Sequence, residues 1–456
     1  MVLHHECVVA LTPAAAQAGA LPGMRRGGIS ALAPHAIMLE RDVAAEQATF
    51  EGAALALLQY TPEITAAAED TVLMNVGASL RAFGGPRRLI RRTAATVRAL
   101  GLQASLGMAP TAGGAWLLAR ASRRRRVLRM NHLHRHLDPL ACGLLPQARR
   151  HHAWLQGIGC NTLGQLRQLP RGGLQRRCGS ALLDALDSVY GRAPQAHAWI
   201  QAPQQFKRRY DLIERLEHTE GVLAVARKLV EQMSGWLTAR QRAVPRLTLI
   251  MEHERGRHAR APTLLDLSLA EPAWQADHLV NLLRERLSRL TLAAPVVAVV
   301  LDAPETVAQP AVSATLFPEP GNAGVQRARL LDLLTARLGR ERVRQPAPVA
   351  DHRPETANRW CAALDKPPAL PPVPVLDRPL WLVDPPMPLQ MQDHRPVYGT
   401  PLTLVRGPER IESGWWDDPI VVRDYFVAED ADAARYWVYR ERGHQDARWF
   451  LQGLYA

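Results

Sequence analysis

Between residues 206 and 302 the hydrophobic pattern changes period in an order that few folds can satisfy. Residues 208–213 alternate as a strand, and 221–239 are amphipathic at helical spacing. Residues 246–253 and 263–269 alternate again, 273–290 form a second helical pattern, and 296–301 a last strand. The order β-α-β-β-α-β is that of a duplicated split βαβ unit. Arg240, Arg242, Arg246, Arg255 and Arg257 flank these strands and are candidates for phosphate contact.

A second constraint lies in residues 60–120. Val72, Leu73 and Val76 belong to a short apolar run that predicts a buried strand. Residues 89–100 have helical spacing, and 102–108 predict another strand, closed by Gly107. A strand–helix–strand unit can present acids at a sheet edge for metal-assisted phosphoryl transfer, which needs carboxylates holding two divalent cations about 4 Å apart. Glu69 and Asp70 stand in such a position, followed by Thr71 and Asn75. The frame of the site is there without its full set of acids.

Composition narrows the partner. A chain of 456 residues predicts two to four domains, and its net charge of +13 with a pI near 10.2 points towards a polyanion. The excess is uneven: residues 381–456 carry 8 arginines against 12 acids, so the preceding body holds +17. Five cysteines, Cys7, Cys142, Cys160, Cys178 and Cys361, fit no zinc or disulfide spacing and predict reduced thiols. Neither a membrane-span-length apolar run nor a signal-peptide series is present, which makes the cytoplasm the expected compartment.

Along the chain, Thr12-Pro13 starts a short helix after a β-rich run at 7–11, and a long helix is expected over 43–59. Arg123, Arg124, Arg125 and Arg126 form a basic run with two open readings, a solvated helix end or a phosphate-contacting surface. His132, His134, His136, His151 and His152 read as a solvated polar face or a metal site. Two short helices around Gly157-Ile158-Gly159, the second capped by Thr162, read as a packing corner or as backbone N–H groups offered to a phosphate by Gly157 and Gly159. A helix is expected over 326–338. Dense prolines over 345–388 argue against sheet interiors and predict an extended linker. Residues 381–456 then hold 12 of the 25 aromatics and predict a small β-rich module. Trp415, Trp416, Tyr425, Trp437 and Trp449 serve there either as partner anchors or as the module's own core.

These segments resemble, in order, the Y-family translesion DNA polymerases (UmuC and DinB types). GALPGM at 19–24, YTPEI at 60–64 and LGMAPTAGGAWLLAR at 106–120 are similar to that family's palm motifs. The glycine-centred helices resemble its thumb, and the split βαβ pair its DNA-gripping little finger. GPERIESGWWD, RDYF, YWVYRER and WFLQGLYA resemble the C-terminal region of the ImuB family, catalytically degenerate Y-family relatives of bacterial damage-induced mutagenesis cassettes. The fold implied is α+β and multi-domain: palm and fingers over 1–120 with the first strand missing, and a helix-hairpin-helix thumb over 121–200. A little finger at 206–303, a loop and helix at 304–344, the linker at 345–388 and an interaction module at 389–456 follow.

On this resemblance Asp70 matches a family Asp, Thr71 stands where the catalytic Glu belongs, and Asn75 replaces a further Asp. Trp116 and Ala112 replace lysines, Trp116 at the triphosphate contact. The expectation is no catalytic residue and no cofactor: too little charge remains to hold two Mg²⁺ and a triphosphate. The loop VSATLFPEPG places Leu316 and Phe317 like the apolar pair of a sliding-clamp peptide, with Ser313 where glutamine is usual; the other reading is a loop that anchors itself to the little finger. The resemblance implies a non-catalytic adaptor that meets DNA, the clamp, an error-prone C-family polymerase and a RecA-like, ImuA-type accessory protein, with no membrane. The alternatives are an active translesion polymerase with an atypical Mg²⁺ site at Glu69 and Asp70, and a nucleic-acid-binding repair factor outside polymerisation.

Overall fold

The computed structural model describes residues 1–121, 126–254, 260–309, 321–366, 369, 377–416, 420–442 and 448–455, with side chains omitted for 321–325. The chain forms two compact units, Met1–Leu316 and Phe317–Ala456.

In the first unit, Val2–His4 pairs antiparallel with Cys7–Ala10 and parallel with Leu39–Glu40. Thr12 caps the helix Pro13–Gln17 by accepting from the Ala15 N–H, with proline in the first turn. The long helix is Val43–Leu57, capped by Asp42. Its C-terminal half is buried and packs against the helix Thr219–Ala239. That crossing is close because it is built from small residues. A Cβ added to Gly235 would overlap the Leu55 carbonyl and Ala56, and one on Gly52 would lie 2.6 Å from the Gln232 amide.

Ile64–Ala67 and Thr71–Met74 form a two-stranded antiparallel hairpin, Ala67 opposite Thr71. The second strand is half-buried rather than buried. The helix Pro86–Ala99 follows, as its spacing predicts, but residues 102–107 form no strand. The hairpin closes on itself without a third partner, Gln103, Ala104 and Ser105 remain exposed, and only Met108 bridges Arg126. Gly107 instead lies against the helix Ala112–Arg120, where an added Cβ would overlap the Ala115 carbonyl.

A helical segment packs around Trp116, Leu117, Leu133, Leu155, Leu163, Leu182 and their neighbours. Within it, Thr162 and Gln165 make a reciprocal capping box at the start of Leu163–Gln168. Cys142 and Cys160 are buried free thiols, pushed up in pKa by desolvation.

The split βαβ expectation holds in register as well as in order. Phe206–Leu216 and Arg242–His253 run parallel with Val296–Ala303 between them, and Thr263–Ala273 closes the far side. Each βαβ half therefore receives a strand of the other. Phe206, Leu229, Met233, Trp236, Leu249 and Leu283 fill the interior between sheet and helices.

The second unit corrects the linker reading in the described parts of 345–388, while residues 367–368 and 370–376 lie outside the described residues. Arg344–Pro348 pairs antiparallel with Asn358–Ala362, and Trp381–Gln392 is an interior strand of a seven-stranded antiparallel sheet. Prolines are tolerated there for identifiable reasons. The first ladder has only two strands, so an imino nitrogen can face outward. In the second, pairing jumps from Leu382↔Gly453 to Met387↔Leu451, and Asp384-Pro385-Pro386 falls in the irregularity. The helix expected over 326–338 lies inside Gly321–Leu338. Among the described residues no helix is long and apolar enough to cross a membrane.

Candidate functional site

At the hairpin tip, Glu69 and Asp70 line a cleft of about 2110 Å³ that also receives Arg41, Trp116, Arg120, Arg192, Arg209 and Lys228. Glu69 and Asp70 both adopt left-handed backbone, φ +59° and +53°, which costs a non-glycine residue roughly 1–2 kcal/mol. Three contacts hold them there. The Trp116 indole donates to the Ala68 carbonyl at 3.1 Å, Arg120 donates to the Glu69 carbonyl at 2.9 Å, and the Thr71 hydroxyl donates to the same oxygen at 3.1 Å. Trp116 is buried, and the Arg120 guanidinium lies 4.8 Å from its ring centroid.

The Glu69 carboxylate is closed by two guanidiniums, Arg120 from the helix behind the hairpin and Arg149 at 2.9 Å from the helix Pro146–Arg149. Two fixed cations thus neutralise the acid that the frame presents. Asp70 lines the cleft in the field of Arg41. Asn75 donates to Glu63 at 2.6 Å and accepts from the Gly77 N–H, which makes it a tie at the hairpin's base. Other acids on the cleft wall are engaged: Glu46 with Arg41 at 2.7 Å, Glu40 with Arg26 at 3.0 Å, and Asp42 with the helix N-terminus. This donor set does not fit a two-cation centre, which needs several uncommitted carboxylates converging on one point. Among the described residues no group of three or more His, Cys, Asp or Glu is placed to hold a metal. His132 and His134 lie exposed on the helix Met130–Leu137, as the solvated reading has it.

The arginines flanking the split βαβ strands are largely engaged by the fold. Arg240 donates to the Pro203 carbonyl at 3.0 Å beside Trp236, Arg242 to the Thr306 carbonyl at 2.6 Å, and Arg246 pairs with Glu305 at 2.7 Å. Gly157 and Gly159 form an exposed tip with open space where a side chain would sit, Gly159 at φ +75°. Arg126 is exposed beside Gly84, Gly85 and Arg87. Arg123, Arg124, Arg125, Arg255, Arg257, Leu316 and Phe317 lie outside the described residues.

The five aromatics divide. Trp415 and Trp416 are 76 % and 67 % exposed, with ring centroids 6.2 Å apart. Tyr425, Trp437 and Trp449 are buried, which corrects their reading as partner anchors. Tyr425 stacks on Trp437 at 4.2 Å, and its hydroxyl donates to Gln452 at 2.6 Å. Both faces of the strands Val421–Glu429 and Arg435–Glu441 are covered, so alternation places aromatics inside on either side.

Sequence reasoning missed Arg120 and Arg149. Arg120 had a weak signal, since it sits one helical turn after Trp116 on the same face. Arg149 is 80 residues from Glu69 and had none.

Residues 1–120 match the model of the impB/mucB/samB family (IMS). The chain is 25% identical over 461 residues, covering 96% of it and 100% of the relative, to Protein ImuB of Caulobacter vibrioides, in two strains. Similar solved structures include a Dbh ternary complex, with 17% identity, 67% of this chain and 92% of that chain covered, and a TM-score of 0.37. DinB from Sulfolobus solfataricus is another, at 18% identity, 65% and 86% coverage, and a TM-score of 0.35.

Proposed function

We propose that this chain, a relative of the ImuB proteins with an impB/mucB/samB-type domain in residues 1–120, is a non-catalytic, polymerase-like adaptor of a bacterial DNA-damage-induced mutasome. It binds DNA in the cytoplasm as part of the SOS response. It recruits an error-prone C-family polymerase and a RecA-like, ImuA-type partner to lesions through the sliding clamp. One observation carries the reading: the Glu69 carboxylate is held by Arg120 and Arg149. The alternative, an active polymerase with an atypical Mg²⁺ site at Glu69 and Asp70, needs that acid free for cations, and an adaptor does not. No cofactor is required. The basic body supplies the phosphate contacts, with Arg126, Gly157, Gly159, Arg240, Arg242 and Arg246 as the described residues of that set. Leu316 and Phe317 supply the clamp contact. Trp415 and Trp416 remain the exposed aromatic pair that a protein partner would cover.

A clamp pull-down with the full chain tests the recruitment route. Leu316→Ala with Phe317→Ala is expected to abolish clamp retention and leave DNA affinity unchanged. Undiminished retention would remove the clamp contact from the proposal.

A further inference from the structure

Between Asp70 and Asp138 the chain carries thirteen arginines and no acidic residue. The helix Pro86–Ala99 lies inside that interval and is amphipathic in an unusual way. Leu89, Thr93 and Val97 are buried and line the cleft. At about 100° per residue, Arg87, Arg91 and Arg98 fall within about 40° of one another on the opposite flank, and Arg88 and Arg92 lie beside them. All five are exposed. Arg92 sits over Phe83 at 5.6 Å, and Arg98 donates to Ala94 of its own helix at 3.1 Å. Among the described residues none of the five makes a salt bridge.

This differs from the arginines that flank the split βαβ strands. Arg240, Arg242 and Arg246 are tied to carbonyls of other segments or to Glu305, whereas the Pro86–Ala99 arginines are exposed, and their contacts among the described residues are only Arg98 to its own helix and Arg92 over Phe83. Five like charges on one exposed flank repel one another and destabilise the helix slightly. An external polyanion removes that repulsion. The apolar face of the helix is already buried in the core around Leu57, Ile64 and Leu89, so nothing is left to insert into a lipid surface. Arg87 to Arg98 spans about 16 Å along the axis, over which one strand of B-DNA presents about five phosphates.

We propose that the outer flank of the Pro86–Ala99 helix is a second duplex-DNA surface, facing away from the cleft and contacting phosphates through Arg87, Arg91 and Arg98. It rests on the proposal that the chain binds DNA and adds to it a site that a duplex in the cleft does not touch. Such a surface lets one molecule hold flanking duplex beside the strand end at a lesion.

The test is the salt dependence of duplex binding by the full chain between about 50 and 200 mM salt. Replacing Arg87, Arg91 and Arg98 by Gln is expected to make the log–log slope shallower by about 2–3, near 0.9 for each phosphate lost. The corresponding triple lysine variant is expected to keep the wild-type slope, which a merely structural role would not produce. As a second readout on the unaltered chain, DNA is expected to protect these three guanidiniums from a dicarbonyl reagent. A wild-type slope in the Gln variant, or no protection, overturns the second surface. So does capture by phosphatidylserine vesicles that is lost in the Gln variant while its DNA slope is unchanged. No duplex binding by the wild type overturns this inference and the DNA-binding proposal together.

Discussion

Glu69 is a carboxylate at a strained turn, and its neighbours decide what it can do. Two guanidiniums and an indole converge on the Glu69 carboxylate and on the Ala68 and Glu69 carbonyls. Charge-assisted hydrogen bonds of this kind offset the left-handed backbone. Glu69→Gln keeps the shape and removes the charge, leaving Arg120 and Arg149 without their acid. Because all three side chains are partly solvated, we expect a loss of about 1 kcal/mol in urea unfolding of the full chain, smaller than for a buried pair. An unchanged midpoint would mean that the clasp is not a structural tie. This residue scale is also where the sequence was least legible. Thr71, Asn75 and Trp116 could be picked out as departures from the family's site, beside a matching Asp70. What replaced the missing chemistry could not, since it depends on Arg120 and Arg149 meeting Glu69 across 51 and 80 residues.

Among the elements, the helix crossing between Val43–Leu57 and Thr219–Ala239 joins two segments of the first unit by backbone proximity. Its contact residues are small by necessity: a side chain on Gly235 has no space beside Leu55 and Ala56. Gly235→Val is expected to destabilise the chain by roughly 1–3 kcal/mol, the usual cost of overpacking. Gly157→Ala, which meets open space, should stay within about 0.5 kcal/mol in the same denaturant titration. Equal effects would contradict the close crossing. Elements with a long period were legible in the sequence, and the split βαβ pair emerged with its interleaved strands. Residues 102–107 were misread because alternation indicates a strand only where a neighbour offers a free edge. The described ends of the 345–388 stretch were misread because proline excludes a ladder position, not a sheet. In the C-terminal strands, the sequence left Tyr425, Trp437 and Trp449 open between partner anchors and core, because it does not show that both faces are covered.

At the scale of the whole molecule, a basic body holds a cleft whose acids are mostly paired with arginines, and we propose that this cleft holds DNA rather than joining nucleotides. The arginine distribution supports the same division: some guanidiniums close the acidic tip, some tie the split βαβ segment, and those of Pro86–Ala99 stay open to solvent. The most direct measurement is primer extension by the purified full chain on a primer-template it demonstrably binds, with Mg²⁺ and separately Mn²⁺. The account predicts retained DNA and no nucleotide added with either ion. Incorporation that disappears in Asp70→Ala would contradict it.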